Sequence, residues 1–416
     1  MEVFGAWLSL VERLVRDQEV QSSNLCAPTT PYSGLLFQCM WKKVIALLMA
    51  AAASRAADPP TGQIVDSVEC ASDNTQHYAL YLPSNYTPSR QWSVILAFDG
   101  GARGRMPVER YREAAEKYGY IVAGSLNSRN GPWEVSMKAA EAMTADVKAR
   151  FSIAPRRVYT AGMSGGARVA MKIAIESKQI AGVFASSAGF PDEFIPRLPF
   201  PVFGSAGTDD FNHLEMYQLD RRVTSPHRVL YFAGGHTWLP AEMAMQAVEW
   251  MELQAMKSGL RPRDTAQLDT WFAARAEQIG ALPDNPETLR ALIHLLADFE
   301  GLEDVRKFAD RAARLLKQQD VRDALREEPK NEERELQVQA ELFELRDRWY
   351  NGASFAKLKE RITALLAQSE AADDSEDRRI ARRVLANFAA SSRSTRDPQY
   401  QELLDIIRRP AAQSTR

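Results

Sequence analysis

The stretch Arg157-Val158-Tyr159-Thr160-Ala161-Gly162-Met163-Ser164-Gly165-Gly166-Ala167-Arg168-Val169-Ala170-Met171 constrains this chain more than any other. It reads as a short apolar strand, a Gly-x-Ser-x-Gly turn centred on Ser164, and a helix of small and apolar residues. A serine hydroxyl is a weak nucleophile until it is lifted clear of its neighbours and set beside a base. A sharp strand-to-helix turn does this, and it crowds the backbone so that only glycine fits two residues to either side. The helix starting there aims its first N–H groups and its positive dipole end at a reacting carbonyl. Gly165, directly after the serine, is therefore the expected first donor to an oxyanion. A plain αβ turn with a surface serine would show the same residues, so the rest of the chain has to decide.

Around that turn, strand-like and helix-like segments alternate from about residue 62 to 253. Gln63–Cys70 and His77–Leu82 predict an opening antiparallel pair, and Trp92–Phe98 is a continuous apolar run of the kind buried on both faces. Further strands are predicted at Tyr120–Ser125, Ile180–Ser187, Pro201–Ala206 and Arg228–Ala233. Helices fall at Pro107–Tyr118, Ala139–Phe151, Ala167–Ser177 and Met243–Met256. This order implies an α/β fold, a three-layer, mostly parallel sheet with right-handed crossovers.

After the linker 257–262 the composition shifts to Arg, Glu, Asp, Leu and Ala, and no strand-like run survives. Residues 263–416 read as an all-α region, with helices predicted at Thr265–Ile279, Pro286–Phe299, Leu302–Gln318, Glu333–Tyr350, Ser354–Ser369, Asp377–Ala389 and Gln399–Arg408. A bundle and an array of degenerate helical hairpins both fit. Such helices offer a surface for a protein partner or for self-association.

The N-terminus differs from both regions. Met40-Trp41-Lys42-Lys43, the apolar run Val44–Ala53 and the small residues before Ala57 have the form of a secretory signal over residues 40–56. The apolar run is too short for a stable membrane span. The expected location is periplasmic or extracellular. Val20–Thr29 resembles a translated tRNA T-arm with its terminal CCA, so residues 1–39 are expected to be a non-native extension. That leaves residues 57–256 as the catalytic unit.

A net charge of −2 excludes a general attraction to nucleic acid or anionic lipid. Cys26, Cys39 and Cys70 show neither metal-site nor redox spacing and suggest no disulfide framework. There is no phosphate-binding loop and no dinucleotide fingerprint. Neither a cofactor nor a metal is implied.

Given a nucleophile on one strand, the acid and base are expected after later strands in the order Ser, Asp, His. Gly207-Thr208-Asp209-Asp210 follows one strand and Gly234-Gly235-His236-Thr237-Trp238 the next. His236 is the expected base. Asp209 and Asp210 compete for the acid, and the Gly-Thr-x-Asp spacing favours Asp210. His77, His213, His227 and His294 lack such a setting and read as structural. Gly101, in the Gly-rich loop after Trp92–Phe98, is the expected second oxyanion donor. Trp133 and Trp238 are candidates to line the substrate entrance, and both could equally be core residues.

Together these residues resemble the α/β-hydrolase superfamily and, within it, the polyhydroxybutyrate depolymerase and feruloyl esterase branch. The resemblance rests on Tyr78–Pro83, the Ala161–Ala167 turn, Gly207–Asp210 and Gly234–Trp238, and covers about residues 62–256. It implies hydrolysis of carboxylic esters through an acyl-enzyme. Ser164 attacks while His236 takes its proton, and His236 then protonates the leaving alcohol and activates water. A serine peptidase or amidase uses the same groups, and a hydrolase-like core carrying a helical interaction module is a third reading. One departure matters. Asp99-Gly100 stands where the family has His-Gly, which puts a carboxylate beside the expected oxyanion site.

Overall fold

The computed structural model describes residues 59–192, 194–391 and 397–408. The expected N-terminal extension and signal, 1–39 and 40–56, lie outside the described residues. An eight-stranded sheet runs in the order β1-β2-β4-β3-β5-β6-β7-β8. Here β1 is Ile64–Cys70, β2 Asp73–Tyr81, β3 Trp92–Asp99, β4 Tyr120–Ser125, β5 Ile153–Met163, β6 Gly182–Ser186, β7 Val202–Gly207 and β8 His227–Phe232. β2 runs antiparallel to both β1 and β4, and β3 to β8 are parallel. This is the α/β topology expected from the alternation of the segments.

The apolar runs split between two faces, as the two-residue period of a strand requires. Val94, Leu96 and Phe98 of β3 join one cluster, together with helices α2 (Trp133–Arg150), α3 (Gly165–Ser177) and α4 (His213–Arg222). Ile95 and Ala97 join the other, with α1 (Arg105–Tyr118) and α5 (Ala241–Lys257). The parallel strands bring the ends of β3, β5, β7 and β8 to one edge, where loops in such sheets assemble sites.

Beyond residue 257 the described residues are helical: α6 (Thr265–Gly280), α7 (Pro286–Phe299), α8 (Arg306–Leu315), α9 (Gln319–Tyr350), α10 (Phe355–Ser369), α11 (Glu376–Ser391) and α12 (Pro398–Arg408). The Asn285 side chain accepts from the Thr288 N–H and Pro286 takes the first turn, which fixes the start of α7. α9 corrects the prediction of a helix beginning at Glu333. It starts at Gln319 and runs through Pro329, which removes one ladder hydrogen bond and costs about 3 kcal/mol. Tertiary packing outweighs that cost. Val321 is buried in a cluster shared with α6, α7 and α8, whereas Leu342 is buried in a second cluster shared with α10, α11 and α12. One helix thereby joins both halves of the C-terminal region.

The linker is not a free tether. Leu253 and Met256 of α5 belong to the same cluster as Leu268, Leu292 and Phe299. Asp298, only 1% exposed, accepts from Arg228 Nη1 of β8 at 2.9 Å, from Trp250 Nε1 of α5 at 2.9 Å and from Arg275 of α6. Burial pushes this carboxyl up, but the two guanidinium groups outweigh burial and hold it below the usual carboxylate range. Asp298→Ala would strip the buried Arg228 guanidinium of its ion-pair carboxylate, whereas Arg275 keeps Glu249 at 3.5 Å, and is expected to destabilise the protein by about 3–5 kcal/mol. A denaturant midpoint within experimental scatter of the wild type would show that this junction contributes little.

Candidate active site

The edge of the sheet is strained where the chemistry is expected. Among the described residues, the non-glycine positions with positive φ are Ala102, Ser164, Lys178 and Ser187. Ser164 and Ser187 follow β5 and β6 directly, and Ala102 lies in the loop after β3. Ser164 has φ 58 and ψ −125, a conformation that an L-residue keeps only when its surroundings enforce it. The surroundings are glycines. A methyl on Gly162 would come within 2.1 Å of the Gly166 carbonyl oxygen, and one on Gly166 within 2.1 Å of Phe98 O. β5, the turn and α3 therefore close up to a separation that only glycine permits. Ser164 is half-buried, and its N–H donates to Ser186 O at 2.9 Å.

His236 and Asp210 come together. His236 Nδ1 lies 2.7 Å from Asp210 Oδ1. A carboxylate can only accept, so Nδ1 carries the proton and Nε2 keeps a lone pair for base work. Asp210 is fully buried, and its Oδ1 also accepts from the Asn212 N–H at 2.8 Å. Its Oδ2 is buried without a partner among the described residues. The Phe211 ring stacks on the imidazole with centroids 3.9 Å apart, which limits rotation of the ring. Asn212 Nδ2 donates to Ser187 O at 2.7 Å and ties the acid loop to the loop after β6.

Asp209 faces elsewhere. Its Oδ2 accepts from Arg382 Nη1 at 3.0 Å. The pairing thus separates the two carboxylates that the sequence left in competition.

Trp238 corrects an expectation. It is 1% exposed, buried on the α1/α5 face, and its indole N–H donates to Asp99 Oδ2 at 2.7 Å. It does not line an entrance in this arrangement. It acts as a latch: the chain leaves β8 and reaches Asp99 at the end of β3, where Asp99 pairs in register with Met163. The His236 segment is thereby carried across the carboxyl edge toward β5, whose last residue precedes Ser164. Ser187 Oγ, donating to Thr237 O at 3.3 Å, supports the crossing from below. Trp133 starts α2, half-buried against the first cluster, with the Lys172 ammonium 5.3 Å over its ring.

Gly101 is the second correction. Its N–H donates to Asp99 Oδ1 at 2.7 Å, so it is already engaged and does not face a free oxyanion position. Asp99 also accepts from Arg103 Nε at 2.8 Å and Nη2 at 3.0 Å. Burial pushes Asp99 up, but Arg103, Trp238 and Gly101 outweigh burial and hold its carboxyl below the usual range. The Asp99 carboxylate is thus an internally satisfied anchor for the loop.

The residue that the sequence reading missed is Asn130. Its side chain lies against the Cα faces of Gly100 and Gly165. A methyl on Gly165 would meet Asn130 Oδ1 at 1.8 Å, and one on Gly100 would meet it at 2.6 Å. The Asn130 N–H donates to Gly100 O at 2.9 Å and fixes the loop there. Nothing in the local sequence points to it, because the contact joins the loop after β4 to the turn after β5.

The remaining histidines have other surroundings. His77 Nδ1 lies 3.3 Å from Ser67 Oγ, and both ring nitrogens of His227 face backbone carbonyls at 2.8 Å. Burial lowers His213 to about 4 and His294 to about 3, so both are neutral near pH 7. Burial and the Asp146 carboxylate raise the Cys70 thiol to about 11, which makes it a poor nucleophile. No group of three or more metal-ligating side chains is assembled among the described residues. No helix among them is long and apolar enough to cross a membrane.

No protein-family model and no curated protein matches the chain. Solved structures do. An esterase from Pyrobaculum calidifontis is similar at 11% identity, over 47% of this chain and 86% of its own, with a TM-score of 0.37. Est1E from Butyrivibrio proteoclasticus is similar at 14% identity over 46% and 98%, with a TM-score of 0.37. A putative dipeptidyl aminopeptidase IV from Bacteroides ovatus is similar at 14% identity over 46% and 35%, with a TM-score of 0.34.

Proposed function

We propose that the protein is a serine hydrolase that cleaves carboxylic esters through an acyl-enzyme. The observation that carries this reading is the 2.7 Å pair of Asp210 and His236, set at the same edge of the sheet as the strained Ser164. Ser164 Oγ attacks the ester carbonyl carbon while His236 Nε2 takes its proton. The tetrahedral oxyanion then collapses, and the alcohol leaves with that proton. Water, deprotonated in turn by His236, releases the acid and restores Ser164. Asp210 holds the imidazole tautomer and stabilises the imidazolium formed in each half. The finer kinship, with polyhydroxybutyrate depolymerases and feruloyl esterases, is supported by the Tyr78–Pro83, Gly207–Asp210 and Gly234–Trp238 motifs. Export by the Met40–Ala56 segment belongs to the same proposal and rests on its charge and apolar run.

The oxyanion site in this reading uses the Gly165 N–H and the Asn130 amide, because Gly101 is engaged with Asp99. Rotation about the Asn130 Cβ–Cγ bond exchanges Oδ1 for Nδ2 and presents a donor beside Gly165. Asn130→Ala is expected to lower kcat about 10²-fold, the usual loss for one oxyanion donor, with little change in KM. A kcat equal to the wild type would return Asn130 to a purely steric role.

The test of the whole reading is hydrolysis of p-nitrophenyl esters of rising chain length, with a peptide anilide alongside and fluorophosphonate labelling of Ser164. Ester turnover with labelling at Ser164 supports the assignment. Anilide cleavage without ester turnover would make the enzyme a peptidase. Failure of both substrates and of labelling would overturn it.

A further inference from the structure

If Ser164, His236 and Asp210 work as proposed, one feature of their surroundings is unexplained: the turn carrying the acid is gripped from far downstream. Arg383 of α11 has a side chain 2% exposed. Its Nη1 donates to Thr208 O at 2.9 Å, across 175 residues of chain. Its other donors go to Glu335 of α9, from Nε at 3.1 and 3.0 Å and from Nη2 at 2.7 Å, and to Glu376 at 2.5 Å. The adjacent Arg382 donates Nη1 to Asp209 Oδ2 at 3.0 Å and Nε to Ser369 O at 2.9 Å. Thr208 and Asp209 are the two residues before Asp210.

The same turn is held on its other side by the histidine loop. The Thr208 N–H donates to Phe232 O at 2.9 Å and the Asp209 N–H to Gly234 O at 2.9 Å. A methyl on Gly207 would come within 2.2 Å of Gly234 O, so the two loops are in backbone contact. The turn is therefore suspended between the His236 loop and α11. A buried guanidinium is costly to desolvate and is tolerated when its donors are satisfied with good geometry. Two carboxylates would satisfy Arg383 for packing helices alone. The donor directed at Thr208 O, with its neighbour directed at Asp209, points to a second task.

We propose that α11 is part of the catalytic apparatus, with Arg383 and Arg382 as positioning residues that set the Gly207–Asp210 turn and so the place of the Asp210 carboxylate beside His236. Neither arginine touches substrate. The C-terminal helical region acts on the reaction by holding the triad acid in register. This rests on the triad reading given above.

The experiment uses the full chain with Arg382→Ala, Arg382→Lys and Arg383→Lys. Steady-state kinetics on p-nitrophenyl acetate are read together with hydrogen exchange of the peptide spanning Gly207–Asn212. Arg382→Ala is expected to lower kcat roughly tenfold at unchanged KM and to speed exchange at the Asp209 and Asp210 amides, with β3 and β5 unaffected. Arg382→Lys restores part of both. Arg383→Lys, which cannot span Glu335 and Thr208 together, lowers kcat further. The Arg382 side chain is 35% exposed, so its variants test the proposal even if Arg383→Lys does not fold. Wild-type kcat and wild-type exchange of the turn in Arg382→Ala would overturn the proposal. A general rise in exchange, with kcat falling only as far as the folded fraction, would also overturn it by reducing the arginines to structural ties. An unmutated protein inert to esters and to fluorophosphonate would instead remove the triad reading, and the catalytic role of α11 with it.

Discussion

Ser164→Ala is expected to lower kcat on a short p-nitrophenyl ester by about 10⁶-fold, the loss seen when a triad nucleophile is deleted. In the proposed mechanism Oγ is the atom that becomes acylated, and removing it leaves only what the neighbouring donors can do for attack by water. The backbone at this position adds a second expectation. With φ 58 and ψ −125, Ser164 stores strain that glycine would not feel. Gly placed in an element usually costs about 0.5–1 kcal/mol through the entropy of the unfolded chain. Ser164→Gly is nonetheless expected to be as stable as the wild type or more so, while as inactive as Ser164→Ala. Urea midpoints of both variants, read beside fluorophosphonate labelling, test the pair. Residual turnover within tenfold of the wild type in either variant would show that the nucleophile lies elsewhere.

Asp210→Asn is expected to lower kcat by about 10⁴-fold, while Asp209→Asn stays within about tenfold. The carboxylate of Asp210 accepts from His236 Nδ1, which forces the proton onto that nitrogen and leaves Nε2 basic. An amide can donate there instead, which moves the proton to Nε2 and removes the base. It also offers no charge to the imidazolium, in a place where burial makes that charge count. Asp209→Asn keeps an oxygen for Arg382 and disturbs the turn only mildly. Kinetics of the two variants side by side decide the matter, and equal losses would contradict the assignment of distinct roles.

Much of the fold was legible because its determinants are local. Continuous apolar runs such as Trp92–Phe98 give strands buried on both faces, and the glycines about Ser164 announce a turn that nothing bulkier can make. The Gly-Thr-x-Asp spacing favoured Asp210, and the hydrogen bond to His236 gives the two aspartates different partners. The oxyanion loop was less legible. Whether Gly101 has a free N–H depends on Asp99 turning back toward it, and Asp99 is held in that pose by Arg103 and by a Trp238 that arrives from β8. Asn130 meets Gly165 only because β4 and β5 flank β3. In the helices, Arg383 sits among charges spaced like a solvated face, and its burial shows only once α9 and the acid turn are packed on it. The helix through Pro329 was hidden for the same reason, since two separate clusters outweigh a local breaker.

The ties through Asp298, Arg382 and Arg383 have a consequence for modularity. A chain that reads as a catalytic half followed by a helical half invites being cut at the linker, or having its second half exchanged for another. Here the cut would expose Leu253 and Met256, strand the buried charge of Arg228 and release the turn that bears Asp210. The two halves are separable on paper only.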